Sequence, residues 1–383
     1  MEKNIYLMYA IAFLQGMVFY GPVATLYRRV QGVSVFQITL IESISLILCL
    51  ILEIPWGVIA DKIGYKRTMV FCCILYFLSK VVFWRADSFW WFLLERIMLS
   101  IVIAGMSGVD TSILYLSSEK EHSQKTFGIY NSLSTAGLLL ASLLFSVFIG
   151  NDYSLAGALT VISYGLSALA ALFLTEVKPE KECKFDRIEF KTVLRESFRN
   201  RYLILFLIAV AFLSETHQTI TVFLNQIQYE KCGLSASAIG YIYVAATIVG
   251  LLGIFSAAVT KKTGIKMAGV LLYGLAACAC IVLMLTGSAA LSIGGIITLR
   301  ISNSLFQPFQ TELQNRQVRV GNRATALSIN AMITDSVGAG TNLAFGALAG
   351  MNLKASFLFG AILCLAGLCM FLIWHCHLRD NHG

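Results

Sequence analysis

The chain has 383 residues, 57% of them hydrophobic and 13% charged, with a formal net charge of +8 and a mean hydropathy of +0.76. Soluble domains carry about a quarter charged residues, and a soluble chain of this length needs far more polar surface to cover its core. Composition therefore excludes a soluble enzyme or a nucleic-acid-binding domain and leaves an integral membrane protein.

The apolar runs are continuous and about twenty residues long, the length that crosses a bilayer as a helix. The alternating segments of about ten residues that mark a membrane barrel are absent. Twelve spans are predicted, at 5–27, 37–59, 68–84, 89–115, 124–149, 155–175, 202–226, 236–259, 267–286, 289–312, 324–349 and 354–376. No small-residue cleavage site follows the first, which is read as a retained span.

Lysine and arginine set the orientation. With both termini inside, the inner segments hold 21 of them, including Lys62, Lys66, Arg67, Lys261, Lys262, Lys266 and Arg323. The outer side holds six, Arg28, Arg29, Lys80, Arg85, Lys231 and Lys354, with Arg28 and Arg29 as an awkward pair. The net positive charge is thus a topology signal, with no nucleic acid partner implied.

One long polar segment, "EVKPEKECKFDRIEFKTVLRESFRNR" at 176–201, carries eight bases and six acids. Phe185, Ile188, Phe190, Val193, Leu194 and Phe198 lie close to helical spacing, which predicts a basic amphipathic helix on the cytoplasmic lipid headgroups. It divides the chain into a six-helix half at 1–175, the linker at 176–201, and a second six-helix half at 202–383.

The halves read as repeats. "GVIADKIGYK" at 57–66 aligns with "AAVTKKTGIK" at 257–266, and "LLERIML" at 93–99 with "ITLRISN" at 297–303, which sets Arg96 against Arg300. "KTFGIYNSL" at 125–133 and "RATALSINA" at 323–331 each open a span after a basic loop.

Ionisable residues inside spans are costly and usually functional. Glu215, Arg300 and Asp335 fall near the middle of spans 7, 10 and 11; Arg96 lies in the outer half of span 4 and Asp110 toward its inner end. Glu42 and Glu53, near the ends of span 2, suit interfacial pairing. Arg300, Asn303, Gln307, Gln310 and Gln314 recur every three or four residues along span 10. Span 7 crowds Glu215, Gln218, Thr219, Asn225 and Gln226, and span 1 offers Gln15, Tyr20 and Tyr27. His217, beside Glu215, suits either proton movement or polar packing. The cysteines lie mostly inside spans, where Cys behaves as a small apolar residue. His375-Cys376-His377 has too few ligands for a metal site, and no phosphate loop, zinc motif or nucleophile elbow appears, so neither cofactor nor metal is expected.

The stretch "EIPWGVIADKIGYKR", Glu53 to Arg67, ends span 2 in the pattern Gly-x-x-x-Asp-Lys-x-Gly-x-Lys-Arg. With twelve spans divided six and six, this turn resembles the signature loop of the major facilitator superfamily, at Gly57, Asp61, Lys62, Gly64, Lys66 and Arg67. "EIPWG", "SGVD" at 107–110 and "RATALS" at 323–328 resemble a bacterial branch described as drug-efflux permeases. The resemblance implies an all-α membrane protein with two pseudo-symmetric six-helix halves, spans 1, 4, 7 and 10 lining a central cavity, and alternating access. It also implies a latch, in which Asp61 accepts hydrogen bonds at the start of span 11 near Arg323 to Thr325, while Lys66 and Arg67 hold acids such as Glu119 at the inner end of span 4. A carboxylate on a helix N-terminus contributes roughly 0.3–1 kcal/mol.

The expected function is therefore secondary active transport of a small-molecule substrate across the bacterial inner membrane by a monomer with both termini cytoplasmic. Protons are the expected coupling ion, because a carboxylate that is neutral on one side and ionised on the other couples protonation to opening. Glu215 and Asp335 lead as carriers, with Asp110 behind them. Arg96, Gln218, Arg300, Asn303, Gln307 and Tyr20 are the expected cavity residues. Proton-coupled efflux of amphipathic compounds is the leading reading. Proton-coupled uptake of a polar or anionic nutrient is the alternative, since span 5 lacks the Gly-Pro-rich pattern of antiporters. A polytopic membrane enzyme or receptor is remote, because no interfacial cluster of catalytic groups appears.

Overall fold

The computed structural model describes residues 2–118, 123–177, 195, 198–317 and 323–380. These are helical almost throughout: α1 (Glu2–Gly16), α2 (Ala24–Val30), α3 (Val35–Ile63), α4 (Tyr65–Arg85), α5 (Phe89–Met106), α6 (Val109–Ser117), α7 (Ser123–Leu144) and α8 (Tyr153–Leu172), then α9 (Arg201–Gln218), α10 (Asn225–Lys231), α11 (Ala236–Val249), α12 (Ser256–Leu285), α13 (Ala289–Gln317), α14 (Arg323–Met351) and α15 (Leu353–Asp380). Ten helical segments among the described residues are long and apolar enough to span a bilayer. One of them, Ala236–Leu285, is 50 residues long and contains two of the expected spans, turning at Gly264 (φ +79°). The segment expected as span 11 is the 29-residue helix α14, outside those ten. Large apolar side chains stand exposed on the helices, among them Trp90, Phe148 and Ile254, as they do where the surrounding solvent is lipid.

The chain forms two compact units. The first gathers Met1–Val33, Ile44–Phe185 and Ser235–Val244; the second gathers Ser34–Ser43, Asp186–Leu234 and Ala245–Gly383. In the first, α1 and α7 cross at backbone contact. A Cβ on Gly16 would strike the Ser134 carbonyl oxygen, and one on Gly137 the Phe13 carbonyl oxygen. Small residues permit such approach where dispersion and hydrogen bonding, rather than water exclusion, hold helices together. Ser163 Oγ and Tyr164 OH then donate to the Leu14 and Gln15 carbonyls, both at 2.6 Å. The α1 helix stops there, and Phe19 N donates to Thr160 Oγ1 at 3.0 Å before the chain resumes at α2. The break thus exposes backbone that α8 satisfies, as a bilayer interior requires.

In the second unit α13 and α15 pack on α12, and α9 packs on α15. Gly269 lies against the Phe371 ring and Gly367 against Tyr273. Ser302 Oγ donates to the Leu272 carbonyl at 2.7 Å, and Trp374 Nε1 to Gln317 Oε1 at 3.2 Å. Ser43 Oγ donates to the Ala339 carbonyl at 3.0 Å, and Gly346 leaves room for Thr39.

Backbone irregularities repeat with the sequence. Gly64 (φ +100°) and Gly264 (φ +79°) turn the chain 200 residues apart. Pro55 inside α3 has as its counterpart the 3-10 turn Gly250–Phe255. The Ser107–Gly108 break between α5 and α6 has Pro308 inside α13, and the break after α1 has the π-helical turn Thr219–Leu224 after α9. The helices α5 and α13 begin at Phe89 and Ala289, so Arg300 stands one turn further into its helix than Arg96 does.

The α1–α7 crossing carries a test. Gly137→Leu should destabilise the protein by about 1–3 kcal/mol or more through overpacking, seen as a lower Tm and lost monodisperse yield in detergent. Gly128→Leu on the same helix, where a Cβ meets nothing within 4 Å, should leave both unchanged.

Candidate functional site

The turn between α3 and α4 forms as its glycine predicts. Gly64 at φ +100° lies in a region that side chains strain to enter. The carboxylate of Glu176, just past α8, sits against it and accepts from Lys66 N at 3.0 Å. An acid on the first amides of a helix satisfies donors that no intrahelical carbonyl reaches. Glu119, the acid expected to meet Lys66 and Arg67, lies outside the described residues. Lys62 and Arg67 are exposed. The Asp61 side chain lies outside the described residues, as do those of Arg323 to Thr325, so the latch itself does; most of the 176–201 linker does too.

The richest polar assembly is on α13 and α9. Gln307 Nε2 donates to Asn303 Oδ1 at 3.4 Å, Gln310 Nε2 to Gln307 Oε1 at 3.2 Å, and Gln314 Nε2 to Gln310 Oε1. These amides hand hydrogen bonds along one helix face for three turns, and Gln307 also reaches Ser214 Oγ on α9 at 3.5 Å. Gln307 and Gln218 remain exposed although their helices are of membrane-spanning length. Higher on α13, Arg300 NH1 lies 3.4 Å from His217 Nε2, which is also 3.2 Å from Thr221 Oγ1.

Two residues before His217, Glu215 turns to another side of α9. A Cβ on Gly338 of α14 would lie 2.7 Å from its Oε1, and its Oε2 is buried with no hydrogen-bond partner among the described residues. Glu42, from the first turns of α3, and Asp335, from α14, both act electrostatically on Glu215. Three acids from three helices therefore share one environment. The sequence reading singled out two of them and gave Glu42 an interfacial role. In the first unit, Asp110 accepts from Thr111 N at 2.6 Å and from the Tyr130 hydroxyl, at the start of α6. Arg96 is half-buried on α5.

Tyr20 is only 5% exposed and stacks on Phe83 at 4.0 Å between centroids, facing the interior of its own unit. Beside it lies a cluster that the sequence reading missed. Lys80 Nζ meets Glu95 Oε1 at 3.3 Å, and Arg28 NH2 meets Glu95 Oε2 at 3.9 Å, with all three side chains under 10% exposed. Lys80 lies over the rings of Tyr20, Tyr76 and Tyr164 at 5.1–5.8 Å, and Arg28 over Phe83 and Phe92. Arg28 and Lys80 are therefore not outer-loop charges, and this removes half of the awkward pair. The signal was present: Lys80 sits five residues inside α4, and Glu95 adjoins Arg96 within an apolar helix. At the other end of the chain, His377 stacks on Tyr202 at 3.5 Å between centroids.

A sequence model of the Major Facilitator Superfamily matches residues 5–341. The chain belongs to the major facilitator superfamily. It is a multi-pass membrane transporter of that fold, rather than an enzyme. An uncharacterised MFS-type transporter of Methanocaldococcus jannaschii is 27% identical over 139 residues, 36% of each chain, so the match spans about a third of that relative. Among solved structures, a variant of the nucleoside transporter NupG superposes with a TM-score of 0.83 at 16% identity, covering 97% of this chain and 99% of that one. A POT family transporter in complex with 5-aminolevulinic acid gives 0.75 at 15%, covering 96% and 94%. A bacterial homologue of the human lysosomal transporter Spinster gives 0.72 at 17%, covering 97% and 94%. At these identities the likeness is one of fold.

The buried charges of the first unit make a signed prediction. Glu95→Gln leaves two cations buried side by side and should cost about 3–5 kcal/mol. Lys80→Met leaves the Arg28–Glu95 pair intact and should cost clearly less. Thermal unfolding in detergent ranks the two; equal losses, or a larger loss for Lys80→Met, would contradict the charge assignment.

Proposed function

We propose that the chain is a proton-coupled secondary transporter that carries a small polar solute across the bacterial inner membrane, with both termini cytoplasmic, and that it works as a monomer. The observation that carries this reading is the amide ladder on α13. An apolar drug gains nothing from Asn303, Gln307 and Gln310 held in sequence, whereas a solute with several donors and acceptors exchanges their internal hydrogen bonds for its own. Each such bond contributes about 0.5–1.5 kcal/mol net. Arg300 at the head of the ladder suits an anionic or carbonyl group. NupG, by its name, carries nucleosides, and the POT family protein was solved with a small amino acid. Both chemistries fit the ladder.

Coupling falls to the acids. Glu42, Glu215 and Asp335, acids drawn from three helices, share one environment. A proton that enters and leaves this group changes its charge by one, which biases a two-state protein. The sequence resemblances at "EIPWG", "SGVD" and "RATALS" favour efflux of amphipathic compounds as the second reading.

Proteoliposome flux with an imposed pH gradient separates the readings. The panel is uridine, 5-aminolevulinic acid and ethidium, standing for a neutral polar, a zwitterionic and a lipophilic cationic solute. The ladder reading expects gradient-driven flux of one of the first two. Flux of ethidium alone would overturn it. For the solute carried, Gln307→Leu should raise KM about tenfold, the loss of roughly one hydrogen bond. Glu215→Gln should abolish gradient-driven flux and spare solute exchange, because Gln imitates the protonated acid. Full driven flux in Glu215→Gln would move the coupling role to Asp335, where Asp335→Asn tests it.

A further inference from the structure

The imidazole of His217 is 4% exposed and sits two residues from Glu215 on the same helix. At 3.6 residues per turn, two residues are about 200° apart, and the contacts agree. Glu215 faces Gly338 of α14, whereas His217 faces Arg300 of α13. The nitrogen 3.4 Å from the guanidinium is Nε2. Arginine carries five donors and no acceptor, so the nitrogen that meets it must carry a lone pair. The ring is then neutral, with its proton on Nδ1. The Thr221 hydroxyl, one turn further along, lies 3.2 Å from the same nitrogen. On the other edge of the guanidinium lies Gly250, where a Cβ would come within 3.3 Å of NH2 and 3.4 Å of Nε. A glycine there gives the guanidinium its place, and His217 fixes its direction.

We propose that His217 is a positioning residue for Arg300: as a neutral imidazole it accepts one guanidinium N–H and, with the gap at Gly250, holds the guanidinium in one orientation at the head of the α13 ladder. The transport proton does not pass through it. The orientation favours a solute with a planar acceptor pair, such as a carboxylate, because a fixed guanidinium fork matches that geometry. This last point rests on the reading of α13 as the solute path; the state of His217 does not.

The test is spectroscopic and needs no solute. The full chain, with 15N-labelled histidine and reconstituted in lipid nanodiscs, is followed between about pH 5 and 8, with His217 assigned by the signal missing in His217→Asn. The account expects one protonated ring nitrogen, Nδ1, and one acceptor nitrogen, Nε2, unchanged across the range. Arg300→Leu should release the ring, so that the Nε2 signal shifts or begins to titrate. Arg300→Lys, a milder change that keeps a donor, should shift it less. Gly250→Leu should displace the guanidinium and reproduce the Arg300→Leu spectrum. A wild-type ring protonated at both nitrogens within the range would overturn the proposal, as would a signal indifferent to all three substitutions. If uridine and 5-aminolevulinic acid are not transported while these spectra hold, the solute reading fails and the positioning role stands.

Discussion

The bilayer offers no water, so every polar group that these helices carry inward has to be met by another part of the protein. That constraint explains where the chain departs from regular helix. The break after Gly16 is tolerated because Thr160 takes the Phe19 amide, and Ser163 and Tyr164 take carbonyls of the broken end. The turn at Gly64 holds because Glu176 takes the Lys66 amide. Along α13 the amides satisfy one another, so the ladder can stand inside a membrane-length helix.

The internal repeat gives a second way to judge polar residues, because each half shows what the fold needs without the other's choices. Arg28 precedes Gly32 by four residues as Tyr229 precedes Gly233, with the same closing bonds, Val33 N to the Arg28 carbonyl and Leu234 N to the Tyr229 carbonyl, each 3.1 Å. By the ends of α4 and α12 and the starts of α5 and α13, Lys80 corresponds to Cys280 and Glu95 to Gly295. The second half thus closes this region with neutral residues. Burying an ion costs several kcal/mol, so the charged cluster is a property of the first half alone and is not imposed by the architecture. The Arg300–His217 pair has a similar standing, since Arg300 corresponds in register to Ser100, which bonds Ser45 Oγ at 2.8 Å.

Much of this was legible in the sequence. Apolar runs near twenty residues gave the helices, and the turn at 57–67 gave the family, because glycine and charge at fixed spacing survive any change of packing partner. The polar face of α13 was visible from its period of three to four. What stayed hidden were pairings across long separations. Glu95 reads as one acid beside Arg96, and only packing of α2, α4 and α5 makes it the shared partner of Arg28 and Lys80. Glu42 looks interfacial at the end of a span, yet it joins Glu215, 173 positions away, through the fold. Glu176 closes a turn more than 100 residues earlier.

The central claim is that the polar face of α13 lines a water-accessible path while the helix itself spans lipid. Single cysteines introduced along α13, in a background where the ten native cysteines are replaced, and probed in native membranes with a hydrophilic maleimide, test it most directly. The account predicts labelling at Asn303→Cys, Gln307→Cys, Gln310→Cys and Gln314→Cys, and none at the buried positions Ser302→Cys, Phe306→Cys, Phe309→Cys and Leu313→Cys. Labelling of the second set in place of the first, or none along the whole helix, would contradict it.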